Sequence, residues 1–434
     1  MSNSQMREVA RSEHELDTVV TAREPVLRIP GKPEAATSTG RALRIMHVTN
    51  SMSLGGTEKV VLRVASQLGD SFEHSICCMR SFDPELVAGC LRPDQLRALN
   101  LAPSRFAFFV PRLVRAIRIA KPDIVHSRNW GAIEAAIAAR LAGVPVVVHS
   151  EHGYEVESLS RTPRRQQWMR KLVCSTADAI FTVSRELRDF HAGQAGVDRN
   201  KIRVIYNGVD TVRFSPNPAS RARMRAALGI APGDFVAGAV GRIVPIKDYK
   251  TLLRATSALA PKLPNFKLMI VGDGPELQSL TAFAESLGLR ECLLLPGRRD
   301  DVPDLLAAMD VFVQASLREG MSNTLLEAMS TGLPAIVTRV GGNPEVVHEN
   351  RTGWMFAPGD VESLSRLLLN LVGNHDLQAA TGQAARLRIQ QIFSNQTMLD
   401  NYRALYLELA RKRKVNLSTD AIAGSLRGEE STVA

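Results

Sequence analysis

The sequence predicts an α/β protein made of two doubly wound parallel sheets that face each other across a cleft. Three observations predict it. Short apolar runs alternate with segments of helical spacing along most of the chain. The alternation stops at "VIYNGVDTVRFSPNPAS" (Val204–Ser220), where an Asn-Gly pair, two prolines and two serines mark a hinge, and then it restarts. The length, 434 residues, exceeds one typical domain and suits about two.

The elements follow in order. Residues 1–42 are polar and irregular and read as a disordered tail. "LRIMHV" from Leu43 is a short buried strand, and "TNSMSLGG" is a turn. Val60, Val61, Val64 and Leu68 then recur at helical spacing. The runs "HSICCM", "FAFFV", "DIVHS", "PVVVHS" and "AIFTVS" read as further strands, with helices such as Trp130–Leu141 and Ser184–His191 between them. This first Rossmann-like unit spans 43–207. The second spans 208–394, with strands "FVAGAV", "FKLMIV", "CLLLPG", "VFVQAS" and "PAIVT", each followed by a turn and a helix. Residues 414–434 read as a flexible tail.

Composition narrows the class. A hydrophobic share of 45% and a charged share of 23% are those of an ordinary globular protein. The net charge of +10 favours anionic partners: phosphorylated small molecules, acidic lipid or nucleic acid. A soluble basic protein without such a partner has the same balance. The five cysteines (77, 78, 90, 174 and 292) form no C-x-x-C, and three of them sit in strand-like runs. That suits buried thiols in a reducing cytosol better than disulfides or zinc. No apolar stretch is long enough to span a membrane, and the N-terminus lacks a signal-peptide core.

In doubly wound sheets ligands sit beyond the carboxyl ends of strands, so the loops there are the candidates. After "FVAGAV", Gly241 allows close backbone approach, and Arg242 and Lys247 precede a helix beginning near Tyr249. Two cations beside a helix N-terminus make a phosphate site, although a solvated loop has the same composition. In "IVGDGPE", Gly272 and Gly274 make a tight turn and Pro275 suits the first helical position. Gly55 and Gly56 before a helix leave room for an anionic group, or serve close helix–sheet packing. Asp301 fits an N-cap with Pro303 just inside the helix.

"SLREGMSNTLLEAMSTGLP" (Ser316–Pro334) carries two carboxylates eight positions apart. Glu319 falls in the loop beyond a strand, and Glu327 falls one turn into a helix that begins near Asn323. Between them, Met321, Ser322 and Asn323 present backbone N–H groups as an anion nest. The spacing places two hydroxyl acceptors around a phosphate-binding turn; two solvent-facing glutamates are the plainer alternative. His152, in "HSEHGYE", follows a strand of the first unit and can face the cleft or serve structure.

Taken together, "GRIVPIKD", "VGDGPE", "PGRRDDVPDLL", "SLREGMSNTLLEAMSTGLP" and "GGNPEVV" resemble family 4 retaining glycosyltransferases of the GT-B fold, in that family's order. The resemblance covers about residues 43–412. Through "GGTEK", "PDIVHSRNWGAIEAA" and "HSEHG" the first half looks most like bacterial transferases of exopolysaccharide and exosortase-type loci. The resemblance implies roles for matching residues. Arg242 and Lys247 would neutralise the donor diphosphate, and Glu327 would bind the ribose hydroxyls. Glu319 would contact the donor sugar, with Ser322, Asn323, Thr324 and Leu325 near the phosphates. The Arg298 backbone would flank the base. Gly55 and Gly56 would lie by the diphosphate and acceptor, and His152 by the reacting sugar carbon. A helix at about 395–413 would cross back to the acceptor-side first domain.

The resemblance thus implies transfer from a nucleotide-diphosphate sugar to a glycan or lipid-linked acceptor. No cofactor is expected, and the absence of any D-x-D gives no hint of a metal site. Arg112, Arg115 and Arg118, and the cations around Trp168 in "RTPRRQQWMRK", fit docking of a cytoplasmic protein on the anionic inner-membrane surface. Ordinary solvated helix faces have the same pattern. A glycosidase or phosphorylase also uses paired carboxylates, and a nucleotide-sugar epimerase shares the two-domain shape. A nucleic-acid partner is not expected, because no basic-aromatic reader module is present.

Overall fold

The computed structural model describes residues 41–53, 55–87, 92–101, 106–154 and 164–416. The predicted tails lie outside the described residues except for their inner ends. Arg41 there pairs with Asp123 at 2.6 Å, and Val415 packs on the core. Cys90 also lies outside them.

The first sheet has seven strands: β1 (Leu43–Thr49), β2 (Phe72–Cys78), β3 (Leu96–Ala98), β4 (Ile124–Arg128), β5 (Val146–Glu151), β6 (Ala179–Thr182) and β7 (Ile202–Val204). Their order is β3-β2-β1-β4-β5-β6-β7, and all pairs are parallel. The second sheet has six: β8 (Phe235–Val240), β9 (Phe266–Val271), β10 (Leu293–Gly297), β11 (Val311–Gln314), β12 (Ala335–Thr338) and β13 (Gly353–Phe356). Their order is β10-β9-β8-β11-β12-β13, again parallel throughout. β4, β5, β11 and β12 are buried at every position, because helices cover both faces. That is why they read as apolar runs without strict alternation.

The chain crosses between the sheets twice, and the two crossings are tied together. Val209 N donates to Phe393 O and Asn395 N to Val209 O, each at 2.9 Å. The second crossing leads into helix Asn395–Lys412, whose Ser394 N-cap accepts from Thr397 N. Met398, Tyr402, Leu405, Tyr406 and Leu409 of this helix share a core with Ile45, Ile124, Val146 and Phe181 of the first sheet.

Several expectations need correction. "FAFFV" is helical: helix Phe106–Ala120 begins in it. The run continues into Leu113, Ala116 and Ile117, which are buried at helical spacing, and a short apolar stretch cannot reveal its period alone. Pro275 does not open its helix, which runs Leu277–Ser286 after Glu276. Asp301 holds the N-cap position of helix Val302–Ala308, but its carboxylate pairs with Arg299 instead of capping. Cys292 precedes β10 and is half-buried. Strands β3, β7 and β13 carry no strong sequence signal; they have only three, three and four residues.

Candidate functional site

The carboxyl edges of the two sheets meet. Asn323 Nδ2 donates to Gly56 O at 3.3 Å, and Asn207 Nδ2 to Asn323 Oδ1 at 3.1 Å. Glu345 accepts from Arg185 N at 2.7 Å and from Tyr206 Oη at 3.0 Å. Arg318 lies over the Tyr154 ring at 5.6 Å. Gly320, after β11, rests against the carbonyl of His152, after β5, where a Cβ would collide with that oxygen. The loops beyond β1, β5, β6, β7, β11 and β12 therefore form one constellation.

On the second sheet's side a buried network shapes the loop. Ser322 Oγ donates to Gln314 Oε1 at 2.6 Å and accepts from Leu325 N at 3.2 Å, capping helix Asn323–Ser330. Gln314 reaches Asn343 at 3.4 Å, and Asn343 Nδ2 donates to Thr338 O at 2.9 Å. Gln314 ends β11 and Thr338 ends β12, so the strand ends aim the helix start. Gly341, at φ +56°, packs against the Glu319 carbonyl, where a side chain would clash. Glu319 Oε1 receives Lys247 Nζ at 2.5 Å and Ser316 Oγ at 2.7 Å.

Glu327 lies one turn inside the helix. Burial raises its pKa, while the positive charges of Lys59, Arg63 and Arg213 pull it back. Lys59 and Arg63 belong to helix Gly56–Gln67 of the first sheet's layer, so this carboxylate is shared electrostatically by both halves. Arg63 Nη1 also donates to Gly208 O at 2.6 Å.

On the first sheet's side, His152 is buried. Its backbone N–H donates to Asn129 Oδ1 at 2.8 Å, and its Nε2 lies 3.0 Å from Ser150 Oγ. Burial, with Arg128 nearby, pushes its pKa down to about 3, so the ring is neutral at pH 7. Gly55 occupies the N-cap of its helix in extended conformation, and the Glu58 carboxylate fills the space beside it.

The structure thus gathers His152, Gly56, Ser322, Asn323, Glu319 and Lys247, with Glu327 one turn behind. Arg242 and Arg298 are exposed in the loops after β8 and β10. Asn323 and Thr324 are half-buried at the helix start. The Leu325 side chain is fully buried in the core and its N–H is given to Ser322 Oγ. Ser322 likewise spends its hydroxyl on Gln314 and the cap. Sequence reading missed Lys59, Arg63, Asn207, Gln314 and Asn343. The i, i+4 spacing of Lys59 and Arg63 after the glycine pair was the available signal. Among the described residues no cluster of His, Cys, Asp or Glu is arranged to hold a metal ion. A cavity of about 610 Å³ near Arg221, Phe235 and His375 lies at the amino ends of β8 and β9, away from this constellation.

Two parallel α/β sheets whose carboxyl edges meet, with cations, a helix start and carboxylates between them, have the two-domain architecture of the GT-B fold. Residues 54–213 match the model for glycosyltransferase family 4 and residues 220–388 that for glycosyl transferases group 1. An Escherichia coli UDP-Gal:α-D-GlcNAc-diphosphoundecaprenol α-1,3-galactosyltransferase is 31% identical over 86% of this chain and 98% of its own length. A Mycobacterium tuberculosis GDP-mannose-dependent α-(1-6)-phosphatidylinositol monomannoside mannosyltransferase is 32% identical over 79% of this chain and 92% of its own. The crystal structure of Anabaena HepE in complex with UDP superposes with a TM-score of 0.74 at 22% identity, covering 84% of this chain and all of that one. The chain belongs to glycosyltransferase family 4.

Proposed function

We propose that the enzyme moves a sugar from a nucleotide-diphosphate donor to a lipid-linked glycan, with retained anomeric configuration, in exopolysaccharide or other cell-surface glycan synthesis. The Lys247–Glu319 pair beside the start of helix Asn323–Ser330 carries this reading, because it sets a cation, an anion-binding helix end and a hydroxyl acceptor within one loop cluster. The donor diphosphate takes Lys247 and Arg242, its ribose hydroxyls donate to Glu327, and its sugar meets Glu319. As the sugar C1–O bond to the diphosphate breaks and the acceptor oxygen bonds to C1, the acceptor hydroxyl's proton passes to the leaving phosphate oxygen, on which negative charge has grown. Lys247, Arg242 and the helix N-terminus offset that charge. Retention rests on family membership.

The two relatives' names each pair a nucleotide sugar with a lipid-linked acceptor, which supports the same pairing here. A surface supports it too. Arg112, Arg115 and Arg118 are exposed on helix Phe106–Ala120, and Arg164, Arg165 and Lys171 on helix Arg164–Thr176, beside Trp168 at 61% exposure. Both helices pack against helix Glu134–Leu141 in one layer. We therefore assign this face to peripheral contact with anionic lipid. Arg170 is not part of it: it is buried and stacks on Trp130 at 4.9 Å. Among the described residues no helix is long and apolar enough to cross a membrane.

The test is thermal unfolding against UDP, GDP, ADP and their sugar conjugates, with and without magnesium. Ligand at a hundred times its dissociation constant adds about 2.7 kcal/mol. A shift with one nucleotide, lost in Glu327→Ala, supports the donor site and names its base. No shift with any, or conversion of the donor without an acceptor, overturns the transferase assignment of this site.

A further inference from the structure

One face of the first sheet carries a buried polar row whose last member is His152. His47 on β1, His74 on β2, His126 and Arg128 on β4, and Ser150 on β5 share this face beneath helix Asn395–Lys412, which adds Tyr402 and Tyr406. Arg128 is 1% exposed and has no carboxylate partner among the described residues. A guanidinium stays charged and can only donate, so it sets the direction of every hydrogen bond that starts from it.

The first branch is forced. Arg128 Nη1 lies 2.7 Å from His47 Nδ1, which therefore accepts. His47 then carries its proton on Nε2 and donates to His74 Nδ1 at 2.8 Å. The second branch runs through Tyr406. The Arg128 charge lies close enough to both tyrosine oxygens to oppose the rise that burial causes in their pKa values, so it favours these oxygens as acceptors. The Tyr406 proton is then directed to His126 Nδ1 at 2.7 Å, its hydrogen-bonded neighbour. His126 donates from Nε2 to Ser150 Oγ at 2.9 Å, and Ser150 donates onward to His152 Nε2 at 3.0 Å. Each hydroxyl and each neutral imidazole has one proton, so the direction passes along unchanged.

We infer that Arg128, Tyr406, His126 and Ser150 are positioning residues that fix His152 as the neutral Nδ1–H tautomer, leaving that N–H to donate to an oxygen of the bound nucleotide sugar. Among the described residues His152 Nδ1 is buried and has no protein partner, and the residue's carbonyl touches Gly320 in the loop that bears Glu319. Burial and Arg128 hold His126 neutral as well, so the chain has one defined proton pattern at pH 7. The inference rests on the donor reading for its ligand, and on hydrogen-bond direction for the tautomer. It also gives the returning helix a role beyond closing the core, because Tyr406 begins the branch.

The experiment is a two-bond ¹H–¹⁵N correlation spectrum of the histidine-labelled full-length enzyme at pH 7.5, free and with UDP or GDP. The His152 signal is identified by its loss in His152→Gln. Wild type is expected to show His152 protonated on Nδ1. Ser150→Ala and Tyr406→Phe are expected to shift it toward Nε2–H, and Ser150→Thr to restore it. In Ser150→Ala, nucleotide release from the donor should slow roughly tenfold or more while nucleotide affinity holds, since a mis-set tautomer can cost up to about 10⁴-fold where imidazole acts in the reaction. An Nε2–H His152 in wild type, or an unchanged tautomer in Ser150→Ala, overturns the inference. Should Tyr406→Phe fail to fold, Ser150→Ala decides alone. Failure of wild type to bind either nucleotide would instead count against the donor site, with the tautomer still readable.

Discussion

Lys247 Nζ lies 2.5 Å from Glu319 Oε1, joining loops 72 residues apart, and Ser316 Oγ donates to the same carboxylate oxygen. The loop after β8 and the loop after β11 are thereby held together by the two groups assigned to diphosphate and sugar. A bound donor would exchange this internal pair for contacts of its own, so the ammonium would already stand beside the position of the leaving group.

Lys247→Ala is expected to lower turnover by about 10²–10³-fold, the range seen when one group stabilising transition-state charge is removed. Tm should move by only a few degrees, since a partly exposed pair contributes about 1 kcal/mol or less. Steady-state kinetics and a melting curve of the same variant check both halves. Full activity in this variant would sink the phosphate assignment.

Glu327→Gln should separate binding from stability. Burial raises the folded-state pKa of Glu327, so keeping it ionised costs stability once the pH exceeds that value. The amide removes that cost and one of the two hydroxyl acceptors. Nucleotide affinity should fall while Tm at pH 7.5 stays level or rises. A drop in Tm with affinity intact would show that the carboxylate serves the fold and not the ribose.

Gly320→Ala tests the contact between the halves. The added Cβ meets the His152 carbonyl, and overpacking of this kind costs typically about 1–3 kcal/mol. The strain falls between the sheets and leaves each core intact. Small-angle scattering should report a larger radius of gyration, and activity should drop without loss of secondary structure. An unchanged profile with wild-type activity would argue that the contact does not set closure.

The buried histidines predict acid sensitivity. Burial lowers the folded-state pKa of His47, His74, His126 and His152, with Arg128 adding to the effect; His74 and His152 fall to about 3. Each unfolded imidazole takes a proton below its ordinary value of 6.5, while the folded one stays neutral. Stability is therefore complete above that pH and falls as the pH drops toward 3, by up to about 1.4 kcal/mol per unit for each ring. Urea unfolding at pH 7.5, 6 and 5 measures this slope. Equal stability at all three would contradict the neutral assignment.

Charge reversal on the basic face should abolish lipid binding without touching chemistry. The triple change Arg112→Glu, Arg115→Glu and Arg118→Glu alters exposed positions only. Wild type is expected to float with phosphatidylglycerol vesicles at low salt and to release as salt shortens the screening length to about 8 Å at 0.15 M. If wild type shows no retention on these vesicles, the membrane assignment falls.

The fold class was legible because β4, β5, β11 and β12 are buried on both faces and cannot hide their apolar runs. The break between the two sheets was legible because Asn-Gly and two prolines interrupt the alternation around them. Glu319, Glu327, Lys247 and His152 were legible as candidates from their place after strands and from ordered motifs. "FAFFV" was misread because five apolar residues fit either period. β3 and β7 were missed because three residues carry no period at all.

The sequence by itself determined two wound sheets, the candidate loops beyond their strands, and a helix that returns to the first sheet. Only the tertiary structure decided that Lys247 meets Glu319, that Lys59 and Arg63 stand near Glu327, and that Leu325 is spent on the core. It alone joined Tyr406 to His126 across 280 residues. The reason is physical. Local spacing fixes which face a residue takes on its own strand or helix, but hydrogen bonds and charges act over a few ångströms between elements. Those distances exist only once both sheets and the returning helix have packed.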